Sequence, residues 1–182
     1  MTSNGYRILG EMFGKRLYQA FVKGEKHYPV MADSIEIDGS KVIVNIPTLY
    51  PLVRDNKQVK TISADGFQVK KAGSLVTISS VEVNDTFVVL NCAETLAGSI
   101  EVAYANNESQ SGSGADMAIQ GHGNIRNTDI FPSMYSWKND ENIEGHEITY
   151  IQLDADGNSL EGSGKPYHTY EWLLPFYFTM EI

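Results

Sequence analysis

The spacing of apolar residues changes once along this chain, and that change limits what it can fold into. Over residues 4–23, Tyr6, Leu9, Phe13, Leu17 and Ala20/Phe21 recur at steps of three and four, which aligns them on one stripe of a helix. Ser3 or Asn4 can cap its start, and Gly24 follows as a stop. From about Ser34 the period is two. Ile35 and Ile37 alternate with polar residues up to Asp38-Gly39, a hairpin dipeptide, and Val42, Val44 and Ile46 continue beyond it. Phe67/Val69, Leu75–Val83, Phe87–Cys92 and Ile100/Val102/Tyr104 follow between Gly, Asn and Asp clusters. Short strands at this spacing, with no helix between them, predict a mainly β chain. The expected form is an antiparallel β-sandwich of jelly-roll type with one N-terminal α-helix.

That helix is more apolar than one contact needs. Ile8, Met12 and Val22 widen its stripe, and Gly10 and Gly14 each give up about 1 kcal/mol of helix propensity relative to alanine. The two glycines open a shallow groove for close packing. Leu9, Gly10, Phe13, Gly14, Leu17 and Phe21 are therefore read as a partner-packing surface. The chain divides into this helix, 1–27, and a sandwich, 28–182, with a Gly/Ser-rich loop at 106–124. His146–Leu153 reads as a strand, and Tyr167–Ile182 as an aromatic strand region with Pro175 on an edge. No internal repeat is apparent.

The bulk properties narrow the function classes. A chain of 182 residues can bury roughly 70% of the surface exposed when unfolded, so it needs no staples. Its formal charge of −9 makes nucleic acid and anionic membrane surfaces poor partners. The charge is uneven: Arg7, Lys15, Arg16, Lys23 and Lys26 face only Glu11 and Glu25 in residues 1–26, while residues 141–182 carry eight acids and Lys165 alone. The single Cys92 lies in an apolar run, reads as core, and can form no intramolecular disulfide. Folding in a reducing cytoplasm is the natural expectation. No apolar run reaches 18 residues, and no signal peptide is visible.

No cofactor and no metal site are expected. Asp154, Asp156 and Asn158 imitate the start of a calcium loop, but Gly157 and Glu161 fall at the wrong positions, and a tight turn accounts for them. The four histidines lack zinc spacing. Glycan recognition is better served. Asn124, Arg126, Asn127 and Asp129 offer the planar donors and acceptors that read sugar hydroxyls. A turn in which Arg126 pairs with Asp129 or caps carbonyls accounts for the same residues. Tyr135 and Trp137 stand in a polar stretch beside Lys138, Asn139 and Asp140, where rings can stack on sugars. Trp172, alternating with Tyr170 and Leu174, reads as core.

Thr2-Ser3-Asn4-Gly5-Tyr6-Arg7-Ile8-Leu9-Gly10-Glu11 resembles the stretch that follows the catalytic Asp-x-x-His of SGNH (GDSL-type) hydrolases. Tyr50-Pro51-Leu52-Val53-Arg54-Asp55, Gly66-Phe67-Gln68-Val69 and Gly121–Asp129 are similar to segments of β-rich, carbohydrate-binding-module-like modules. Those modules lie at the C-terminal end of sialate O-acetylesterase-like proteins and bacteriophage tail-spike or tail-fibre esterases. The resemblance runs from Thr2 to about Asp129. It implies that residues 1–27 are the last helix of a hydrolase fold and that the chain starts just after the active site, from a truncation or an internal start at Met1. The Gly-Asp-Ser nucleophile block and the Asp-x-x-His are missing, so the chain is expected not to be an enzyme. The implied role is a non-catalytic module binding host-surface bacterial polysaccharide, or positioning the esterase on it. The alternative is an assembly module of a virion tail, trimeric or docked onto a full-length parent spike. Either way the implied place is the virion, after synthesis in the host cytoplasm. Esterase activity completed by another chain is a third reading.

Overall fold

The computed structural model describes residues 3–25, 29–56, 62–106, 123–129, 132–136 and 166–182. These belong to two compact units, one of Met1–His27 with Asp129–Tyr170 and one of Tyr28–Thr128 with Glu171–Ile182.

The second unit is the sandwich. Its first sheet runs in the order β1 (Ser34–Asp38), β2 (Lys41–Asn45), β7 (Phe87–Cys92), β6 (Ile78–Val83). Its second runs β12 (Phe176–Glu181), β8 (Ser99–Tyr104), β4 (Phe67–Lys71), β5 (Ser74–Val76). Every pairing is antiparallel. A short pair, β3 (Leu52–Arg54) with β9 (Ile125–Asn127), completes the unit. Period-two alternation puts Val42, Val44, Val88 and Leu90 of one sheet and Val69, Ile100 and Val102 of the other into one cluster, each at most 1% exposed. Phe67 and Phe176 pack their rings on Tyr104, at centroid distances of 4.6 and 5.8 Å. Cys92 is buried there, and burial, then the charge of Glu94, pushes its thiol up in pKa. That is the environment of an inert core cysteine.

The mainly antiparallel sandwich with a helix ahead of it matches the sequence pattern, whereas the jelly-roll connectivity does not. In a jelly roll consecutive strands alternate between sheets. Here β1-β2, β4-β5 and β6-β7 are hairpins within one sheet, because connections as short as Gly39-Ser40 and Ala72-Gly73 return the chain to the neighbouring strand. Gly39 and Gly73 sit at φ +61° and +79°, where a side chain would be strained.

The strand order also exposes an internal repeat, contrary to the expectation of none. Ser34-Ile-Glu-Ile-Asp-Gly-Ser-Lys-Val-Ile-Val-Asn45 and Ser80-Val-Glu-Val-Asn-Asp-Thr-Phe-Val-Val-Leu-Asn91 are offset by 46 residues (34 to 80, 45 to 91). The hairpin registers agree residue for residue: Ser34↔Asn45, Glu36↔Ile43 and Ile37↔Val42 become Ser80↔Asn91, Glu82↔Val89 and Val83↔Val88. Between the hairpins, Val42↔Leu90 and Val44↔Val88 exchange under the same offset, so a two-fold axis passes through the Ile43↔Val89 pair. The second sheet repeats the edge-centre-centre-edge order about Val69↔Val102. The repeat was hidden because only four of twelve positions are identical and the apolar ones exchange freely among Ile, Val and Leu.

In the first unit, α1 (Ser3–Leu17) continues through Tyr18–Val22 as a wider, π-type turn and stops at Gly24, φ +66°. The Lys23 and Glu25 amides donate to the carbonyls of Tyr18 and Gln19 at 3.1 and 2.9 Å, closing that end. β10 (Pro132–Ser136) and β11 (Pro166–His168) pair antiparallel in this unit.

Candidate functional site

The Asn124–Asp129 segment is threaded into its surroundings by its own polar groups. Asn124 and Asn127 are at most 1% exposed. With its amide nitrogen turned toward Asp65, Asn124 donates to the Asp65 carbonyl and carboxylate at 3.2 Å each, and its oxygen faces Asn56 at 2.5 Å. Arg126 reaches back across β3 to Asp55, Nε to Oδ2 at 2.5 Å, and Nη1 donates to the Asn127 carbonyl at 2.8 Å. Asn127 donates from Nδ2 to Glu171 Oε2 at 2.9 Å, and its backbone amide donates to the Glu171 carbonyl at 2.9 Å. Asp129, in the other unit, pairs with Lys15 of α1, both side chains nearly buried. Arg126 therefore pairs with Asp55 rather than Asp129, while its carbonyl cap is present. The bonds of Asn124, Arg126 and Asn127 give these side chains a structural use: they hold β9 against β3 and against residues 171–173. Tyr104 adds to it, its hydroxyl accepting the Ile125 amide at 3.1 Å. Burial is the main cause that raises the pKa of this phenol. Gly123 passes so close to the Tyr104 ring that no Cβ fits. Of the other expected glycan contacts, Tyr135 lies in β10, and Trp137 lies outside the described residues.

Beside this segment the backbone makes a tight left-handed turn at Ala64 and Asp65, φ 49° and 55°. Such a conformation costs a residue with a side chain about 1–2 kcal/mol. Arg54 holds it, with Nε at 2.8 and 2.7 Å from the two Asp65 oxygens and Nη2 on the Val81 carbonyl at 2.8 Å. The turn borders a cavity of about 340 Å³ lined by Ser63, Gln68, Leu75, Thr77 and Asn106 among others, with no charged residue among the described residues that line it. That size is at the lower end for small-molecule sites.

The outer face of the β1-β2-β7-β6 sheet carries a paired arrangement. Asn45 Nδ2 donates to Ser34 Oγ and Glu36 Oε1, both at 3.2 Å. Asn91 Nδ2 donates to Ser80 Oγ at 2.9 Å and Glu82 Oε1 at 2.8 Å. Glu36 and Glu82 are exposed, and Ile43 and Val89 lie half-buried between them as successive register partners. No motif rule marks Ser-x-Glu as a site, and only the 46-residue offset between the two copies would have signalled these residues in the sequence.

The helix residues expected to pack on a partner are in the open. Phe13, Leu17 and Phe21 are 62%, 55% and 82% exposed, Leu9 is 39% exposed, and nothing comes within 4 Å of where a Cβ on Gly10 or Gly14 would stand. Tyr6, Tyr18 and Val22 extend the same apolar surface. Among the described residues no group of three His, Cys, Asp or Glu could hold a metal, and no helix is long and apolar enough to cross a membrane.

No protein-family model matches the chain, and no curated protein matches it. Among solved structures it is similar to a carbohydrate acetylesterase from Xanthomonas citri, at 12% identity and a TM-score of 0.44. The match covers 91% of this chain and 27% of that one, so the chain spans about a quarter of the length of the esterase.

Proposed function

We propose that this chain is a non-catalytic accessory module of a carbohydrate esterase assembly, held in place by the open face of α1 and presenting its β-sandwich to a glycan. The observation that carries this reading is the apolar stripe of α1, whose Phe13 and Phe21 are more than half exposed. Exposed rings in a row on one helix face are the mark of an interaction surface. The resemblance of Thr2–Glu11 to the last helix of an SGNH hydrolase names the partner class, a hydrolase domain or a spike built from one. Within that frame the finer reading is a bacteriophage tail spike or fibre, trimeric, acting on bacterial surface polysaccharide and resident in the virion.

Light scattering of the purified chain, alone and mixed with a full-length SGNH esterase carrying the same sandwich, tests the attachment. The expected result is a trimer or a stable mixed complex that the Phe13→Glu/Phe21→Glu double variant abolishes. A wild-type chain that stays monomeric and binds no such esterase would overturn the reading.

A further inference from the structure

The two hairpins of the first sheet are copies of one twelve-residue pattern, and the way they differ is informative. At three of the four core positions the copies exchange residues, Ile35 for Val81, Ile37 for Val83 and Val44 for Leu90, while Val42 and Val88 are identical. Of the outward positions, Ser34/Ser80, Glu36/Glu82 and Asn45/Asn91 are identical, while Asp38/Asn84, Lys41/Phe87 and Ile43/Val89 differ. Packing needs only an apolar group of suitable volume, so the core drifts. The outer triads have kept both identity and geometry, in each case an asparagine amide bridging a serine hydroxyl and a glutamate.

The bridging uses only part of each triad. The second carboxylate oxygen of each glutamate and the amide oxygen of each asparagine have no hydrogen-bond partner among the described residues. Each triad thus presents acceptors and a serine hydroxyl outward. The two glutamates share one cross-strand row, Glu36-Ile43-Val89-Glu82, which at the usual strand spacing sets them about 14 Å apart. Between them runs an apolar strip of Ile43 and Val89, joined by the half-buried Phe87 ring beside Asn45. A second copy of this face is an unsuitable occupant, since Glu36, Asp38 and Glu82 outweigh Lys41 and the two faces would repel. A small cation would use the carboxylates and ignore the apolar strip. A sugar chain uses both, hydroxyls on the acceptors at each end and C–H faces on the strip.

We propose that this outer face is a two-subsite glycan-binding surface, with Ser34, Glu36 and Asn45 as one subsite and Ser80, Glu82 and Asn91 as its two-fold equivalent. The inference rests on the reading of the chain as a carbohydrate-presenting module and gives that reading a location. Its consequence is equivalence: the two subsites contribute alike, and a ligand long enough to span both binds better than one that fills one.

Affinity electrophoresis in gels cast with dextran, xylan or acetylated xylan, with poly-lysine as a cationic control, tests it. Retardation by at least one polysaccharide is expected. Glu36→Gln and Glu82→Gln should each weaken it about ten-fold and the double variant about a hundred-fold, since each removes a charged acceptor. Unfolding midpoints should be unchanged, because glutamine can still accept the asparagine bond. A role limited to bracing the hairpins would leave retardation unchanged, and full retardation of the double variant would overturn this surface while leaving glycan binding in place elsewhere. If no polysaccharide retards the wild-type chain, or only poly-lysine does, both the surface and the glycan reading fail.

Discussion

Two apolar surfaces in this protein read alike in sequence and end differently in structure. The stripe Leu9-Phe13-Leu17-Phe21 of α1 and the inward rows of the sandwich are both periodic, apolar and flanked by polar residues. Val42, Val44, Val88 and Leu90 are fully buried, whereas Phe13 and Phe21 remain largely in solvent. Periodicity reports that a face wants a partner; it does not report whether the chain contains one. Burial at about 25 cal/mol per Å² is realised within the sandwich, whereas Leu9, Phe13, Leu17 and Phe21 of α1 stay exposed and do not gain it.

The sharpest break of the comparison is made in the core. Leu90→Ala, in the centre of β7, should cost about 3 kcal/mol, the lost transfer energy plus the cavity left behind. Urea unfolding followed by tryptophan fluorescence checks it. A cost below about 1 kcal/mol would mean that the two sheets do not share one tightly packed interior.

What was legible in the sequence follows the same division. The β-rich class, the hairpin at Asp38-Gly39 and the helix with its Gly24 stop were legible because local periodicity and turn chemistry decide them. Strand order was not, since nothing in Ile35 or Val83 says which neighbour it will have. The Asn124–Asp129 segment stood out in the sequence for its polar residues, but the partners that engage it lie far off in sequence. Arg126 meets Asp55 and Asn127 meets Glu171. Sequence spacing favoured Asp129 for Arg126, yet strand pairing of β3 with β9 brings Asp55 closer. Twin triads escaped notice because the apolar residues around them had exchanged.

A smaller effect is expected at the rim of the core. Gly123→Ala would place a methyl group inside the Tyr104 ring, which is 1% exposed and stacked on Phe176. Displacing that ring also strains the Tyr104 hydroxyl bond to the Ile125 amide. The expected cost is about 2 kcal/mol, within the usual range for overpacking. Relief of that cost by Tyr104→Phe would show that the hydroxyl, rather than the ring, is the obstruction. Persistence of the full cost would assign it to the ring.

The smallest effect on stability belongs to α1, and its smallness is the content of the prediction. Phe13 and Phe21 touch too little of their own chain for polar replacement to matter, so Phe13→Glu/Phe21→Glu should change the unfolding free energy of the dilute monomer by no more than about 0.5 kcal/mol. The measurement must be made below the concentration at which the chain associates, because association stabilises by mass action and would make the wild type look stronger. At higher concentration the wild-type transition should move up with protein concentration, and that of the double variant should not. A loss of 2 kcal/mol in the dilute monomer would place these rings against their own chain. The contrast between the two surfaces would then be one of degree, and α1 would be part of the fold it now leaves open.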